Sequence, residues 1–195
     1  MFNANYHSHS KYCRHASGKL SEYAEEAVRA GLKEIGISDH IPLSENAKKV
    51  LAPYIRLSGS LSLMMDFSDL QSYINDVATV KSAFKNQLNV LAGFESEYNQ
   101  FDADYYRQMK TKVDFMNLGI HYVYADGILY DFMDNKVHED FGIRRVEKRM
   151  WRPMFKMPSP PWILDFSTRW CIPMFSCAVL RRKILIPRWK NIPGQ

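Results

Sequence analysis

The segment "NYHSHSKYCRH", residues 5–15, places His7, His9 and His15 within nine positions. Side chains two apart on an extended strand point to one face, so His7 and His9 can grip one metal ion. A carboxylate from a neighbouring strand, Glu95, can bridge two ions because each of its oxygens can serve a separate cation. Zinc, manganese and iron accept such mixed imidazole and carboxylate shells. Two ions about 3.5–4 Å apart clamp a phosphate and lower the pKa of a bound water towards about 7, giving a hydroxide for in-line attack. This is hydrolase chemistry.

The elements that must position these groups are legible as alternating strands and helices. Asn3 to His7 reads as a short strand ending in histidines. Ser21 is a plausible N-cap of a following helix: Glu22, Glu25 and Glu26 crowd the positive end of its dipole, Tyr23, Ala24, Ala27 and Val28 form its apolar stripe, and Gly31 sits where a C-cap belongs. "LKEIGISDH" alternates Leu32, Ile35 and Ile37 into a strand ending at Asp39 and His40. A long loop, about Pro42 to Asp66, precedes a helix over Asp66 to Lys85, spaced by Leu70, Tyr73, Ile74, Val77, Val80 and Phe84. "NVLAGFESEY" is a strand ending in Glu95 and Glu97, residues 102–112 suggest a short helix, and "VDFMNLGIHYV" a strand ending in His121. In parallel α/β folds, and above all in barrels, functional groups gather at the C-terminal ends of strands. The expectation is one site built from four strand ends.

Composition sets the bounds. A chain of 195 residues with 46% hydrophobic and 13% aromatic residues can build a sizeable core. No secretory signal is expected from the polar, histidine-rich start, and no membrane span from Trp170 to Leu180, which is short of the roughly 20 residues needed and carries Pro173. Cys13, Cys171 and Cys177 are too few for a disulfide framework, which fits a reducing cytoplasm. The net charge of +5 hides a division: through Gly142 there are 14 basic and 19 acidic residues, and from residue 143 onward 12 basic and 2 acidic. All four tryptophans and seven of the nine prolines follow Gly142, whereas all six histidines precede it. The reading is a partial catalytic domain over 1–142 and a basic Trp/Pro-rich tail over 143–195 without a clear strand period.

"HSH", "RHASG", "GISDH", "GFESEY" and "LGIHYV" together resemble the polymerase-and-histidinol-phosphatase (PHP) superfamily, specifically its monofunctional histidinol-phosphate phosphatases, over roughly residues 3–141. The resemblance implies a distorted (β/α)7 barrel, here incomplete with an irregular C-terminal tail, and up to three divalent metal ions at the strand ends. It implies hydrolysis of L-histidinol phosphate to L-histidinol and phosphate in histidine biosynthesis. By the same resemblance His7, His9 and Glu95 hold one ion, Glu95 and His121 a second, and His15 and His40 a third, with the attacking hydroxide held through His7, His9, Glu95 and His121. The family's later His-Pro-Asp and Asp-x-His motifs are absent, so each position lacks one ligand and weak activity is expected. The tail then reads either as an out-of-frame C-terminus or as a divergent extension.

Blander readings apply elsewhere. His138 and Glu97 read as solvated, Asp39 as a hydrogen-bonding partner of an imidazole, Tyr98, Tyr105 and Tyr106 as packing, and Lys48 and Arg56 as loop charges. Twelve cations and four tryptophans in the tail raise nucleic-acid or acidic-surface binding, but they follow no helix face or known module. Three classes therefore compete: the phosphatase, the same scaffold without turnover, and another phosphoesterase of the superfamily. Removing residues 143–195 is expected to spare activity.

Overall fold

The computed structural model describes residues 3–97, 102–133, 139–145 and 168–170. In chain order it contains β1 (Ala4–Asn5), α1 (Leu20–Arg29), β2 (Glu34–Ile37), α2 (Glu45–Leu51), α3 (Leu70–Phe84), β3 (Asn89–Glu97), α4 (Ala103–Lys110), β4 (Phe115–Gly119), β5 (Tyr122–Ala125), β6 (Ile128–Asp131), β7 (Ile143–Arg145) and β8 (Thr168–Trp170). Strands β1, β2, β3, β4 and β8 pair in that order, all parallel, into a curled half-barrel. A second sheet of β5, β6 and β7 follows it.

The two faces of β3 show how sequence alternation builds this layer. Val90 and Phe94 point into the helix-covered core with Ile35 and Ile37 of β2, Ala24 and Ala27 of α1, and Tyr73, Val77 and Val80 of α3. The Tyr73 hydroxyl, fully buried, donates to the carbonyl oxygens of Ile37 and Gly93 and so fastens α3 across both strands. Gly93, Glu95 and Glu97 take the opposite, barrel-interior face. There a Cβ on Gly36 or Gly93 would stand 2.4 or 2.3 Å from the Phe115 ring, so the two glycines form the slot that admits this aromatic beneath the site.

Local chemistry moves several boundaries from their sequence-based positions. Helix α1 starts at Leu20, because the Glu22 carboxylate accepts the Lys19 N–H at 2.8 Å and supplies the cap instead of Ser21. The loop Pro42–Asp66 carries α2, capped by Ser44, whose side chain accepts from Ala47 N. Leu43, Ala47, Leu51 and Leu61 of this segment bury a second apolar cluster with Tyr122, Leu129 and Ile143. The expected strand through His121 divides at Gly119: β4 stays in the parallel sheet, and β5 turns into an antiparallel hairpin with β6.

Beyond the composition break, where the sequence shows no clear strand period, two short segments pair as strands. β7 pairs with β6, placing fully buried Ile143 beside Leu129, and β8 adds a parallel strand to β4. A strand of three residues has too little sequence to show a period, and pairing supplies its conformation. His138, Tyr98, Cys171, Cys177, Trp151, Trp162 and Trp189 lie outside the described residues.

Candidate metal centre

β1 ends at Asn5, and the chain carries His7 and His9 onward beside β2. The Asn5 side chain accepts the His7 N–H at 3.0 Å. Ser8 then continues alongside β2, its hydroxyl donating to Gly36 O and its carbonyl accepting from Ser38 N. His7 Nε2 and His9 Nε2 come to 2.9 Å of one another. His40 reaches the site by a similar device: after Ser38 and Asp39 the pairing with β3 resumes as one parallel bridge between His40 and Glu95.

Glu95 is the centre of the cluster. Its Oε2 lies 3.1 Å from His7 Nε2, 3.1 Å from His9 Nε2 and 3.6 Å from His40 Nδ1, while Oε1 lies 3.6 Å from His121 Nε2. His15 joins from the mouth, its ring centroid 4.7 Å from that of His9 and 5.3 Å from that of His40. All six residues singled out in the sequence therefore converge. Gly119 makes room beneath them: a Cβ there would stand 2.7 Å from the His121 ring and 2.8 Å from Glu95 Oε1.

Sequence reasoning misplaced Glu97. It is fully buried, not solvated, and accepts from His121 N at 3.1 Å and pairs with His121 Nδ1 at 2.6 Å. Its spacing of two from Glu95 on a strand was the available signal, since both carboxylates must share a face. Asp39 is also buried, and its carboxylate accepts from Ser10 N and Ser10 Oγ. Cys13, assigned no role from sequence, accepts the His40 N–H at 2.8 Å. Tyr106 is core, as expected, and the Tyr105 hydroxyl donates to Pro42 O. Lys48 pairs with Glu45, and neither it nor Arg56 joins the centre's ion pairs among the described residues.

Charge in the cluster is polarised. Burial would raise both carboxyls. The hydrogen bonds from His7 and His9 instead hold Glu95 well below the usual range, and the charge of His121 brings Glu97 down to about 2. Burial would depress His121, but Glu97 lifts it to about 9. Burial, then the neighbouring imidazoles, lowers His15 to about 4, and burial also lowers His9. The lowered imidazoles of His9 and His15 beside ionised carboxylates are the kind of donor that divalent cations require. Nδ1 of buried His40 finds no hydrogen-bond partner among the described residues, an orphan that a cation would satisfy. The groups His7–His9–Glu95, His9–His15–His40 and His40–Glu97–His121 each bring ligand atoms within 4.8 Å of one another.

Among known proteins, "Probable histidinol-phosphatase" of Schizosaccharomyces pombe is 27% identical over 121 residues, 60% of this chain and 38% of that protein. A Listeria monocytogenes crystal structure assigned as a histidinol phosphatase superposes with a TM-score of 0.57 at 21% identity, over 71% of this chain and 51% of that one. The Lactococcus lactis histidinol phosphate phosphatase, solved with zinc, L-histidinol and phosphate, gives a TM-score of 0.49 at 22% identity, over 71% of this chain and 48% of that one. The chain thus spans well under half of the curated relative's length and about half of each solved chain. The PHP domain family matches residues 5–151, a stretch that includes every histidine and carboxylate of the cluster, and the chain belongs to that family.

Proposed function

We propose that His7, His9, His15, His40, Glu95 and His121 hold divalent cations, and that the centre hydrolyses a small phosphomonoester. The substrate proposed is L-histidinol phosphate, released as L-histidinol and phosphate, a step of histidine biosynthesis. The observation that carries this reading is Glu95, whose two oxygens face different sets of imidazoles and so suit a bridge between cations. Zinc, manganese and iron all accept this mixture of nitrogen and oxygen donors. Bound there, such ions would supply electrophilic stabilisation of phosphate charge and acidify a water.

The chain's own residues prepare that chemistry. Glu97 accepts the Nδ1–H of His121 and leaves Nε2 of that ring directed at Glu95. Glu95 contributes a negative charge that offsets crowded cations, and the parallel bridge from His40 fixes its backbone. The hydrogen bonds of Asn5 and Ser8 hold the backbone that carries His7 and His9. His15, exposed at the mouth, stands where an incoming phosphate would pass. No helix among the described residues is long and apolar enough to cross a membrane, and the free thiol of Cys13 suits a reducing, cytoplasmic setting.

A second reading, a cation-binding scaffold without turnover, draws on the absence of any histidine after His138. One sample separates the two: elemental analysis of the purified chain, together with phosphate release from L-histidinol phosphate. Bound metal with release supports the phosphatase, bound metal without release supports the scaffold, and no bound metal refutes both.

A further inference from the structure

Cys13 sits between two of the histidines without belonging to the set that surrounds Glu95. It is fully buried, its Sγ lies 3.6 Å from His9 Nδ1, and it accepts the backbone N–H of His40 at 2.8 Å. Behind it is the buried Asp39 carboxylate, with an oxygen within 4.8 Å of Sγ and accepting from Ser10 N at 2.6 Å and Ser10 Oγ at 2.5 Å. The other ring nitrogen of His9, Nε2, faces His7 at 2.9 Å and Glu95 at 3.1 Å.

An imidazole that presents a bare Nε2 to a cation carries its proton on Nδ1. An acceptor for that proton fixes both the tautomer and the ring plane. We propose that Cys13 is this acceptor, a positioning residue through which Asp39 and Ser10 hold His9 and His40 in the metal centre. The thiol S–H donates to Asp39, and Sγ accepts from His9 Nδ1–H and His40 N–H. A weak donor and acceptor is adequate because Cys13 and Asp39 are fully buried and the carboxylate polarises the S–H. Sγ is not a ligand to the cation held by Nε2, since it lies on the side of the His9 ring away from Glu95. The inference rests on the metal-centre reading above.

The test is the zinc affinity of the full chain and of Cys13→Ser, Cys13→Ala and Cys13→Val, measured by competition with a chromophoric chelator. Serine keeps both polar functions, and valine fills the space with neither. Alanine and valine are expected to weaken zinc binding by about 10–100-fold and serine to restore it. Equal affinity across the series overturns the proposal. A second measurement needs no variant: the cobalt(II)-loaded wild-type chain should lack a sulfur-to-cobalt charge-transfer band, and its presence would make Cys13 a ligand and overturn the positioning role. If the wild type takes up neither metal, the metal-centre reading falls first, a result distinct from binding that is indifferent to Cys13.

Discussion

His40 and Glu95 face each other across one isolated parallel bridge, with Glu95 N donating to Asp39 O and Ile41 N to Glu95 O, each at 3.0 Å. This bridge carries β2–β3 pairing past the break at Ser38–Asp39 and sets the imidazole of one residue against the carboxylate of the other. Glu95, a carboxylate that burial alone would neutralise, is kept ionised chiefly by the hydrogen bonds from His7 and His9 and stands within 3.6 Å of four histidines.

Replacing the hub should empty the centre. Glu95→Ala and His9→Ala are expected to lower zinc affinity by on the order of 100-fold or more, the upper range for outer partners of a ligand, and to abolish metal-stimulated phosphate release. Elemental analysis after gel filtration checks the first effect. Unchanged turnover in His9→Ala would refute the assignment.

Glu97 and His121 predict the pH response of the chelated chain. The Glu97 carboxyl, depressed to about 2, contributes stability above its ordinary value of 4.5 that is lost as pH falls towards 2. The His121 ring, raised to about 9, contributes stability below 6.5 that is lost as pH rises through 9. The plateau of this contribution should therefore lie between 4.5 and 6.5, and Glu97→Gln should flatten both limbs in thermal unfolding. Zinc uptake at neutral pH should also release a proton from His121. Calorimetry in buffers of different ionisation heat would show no buffer dependence if this is wrong.

Two glycines should fail in different ways. Gly93→Ala drives a methyl into the Phe115 ring beneath the centre and should cost about 1–3 kcal/mol of stability, partly recovered by adding Phe115→Leu. Gly119→Ala meets the His121 ring and Glu95 Oε1 instead, so its main effect should be on zinc affinity. Denaturant unfolding and zinc titration of both variants would reveal a wrong assignment if the two profiles coincided.

Removing residues 143–195 should cost stability whatever it does to activity. Ile143 is fully buried beside Leu129, and truncating an isoleucine in such a site to alanine costs about 2–5 kcal/mol. Ile143→Ala should lower the unfolding midpoint by that equivalent, whereas a chain ending after Arg145 keeps this contact. Equal stability of the chains ending at 142 and 145 would show that β7 contributes nothing.

Residue types and short-range periodicity carried much of this protein unaided. Four segments ending in histidine or carboxylate and the α3 stripe of Tyr73, Val77 and Val80 follow from chemistry that each residue brings to its neighbours in the chain, whereas the candidate set His7, His9, His15, His40, Glu95 and His121 as a whole came from the resemblance of the motifs to the PHP superfamily. Tertiary structure alone decided how they meet. Glu95 gathers His7, His9, His40 and His121 from segments far apart in the chain; burial makes Glu97 a partner of His121; and three-residue strands such as β7 exist only because another strand supplies their hydrogen bonds. Periodicity reports which face a residue takes, but desolvation and pairing depend on groups distant in sequence, and those become neighbours only once the chain has folded.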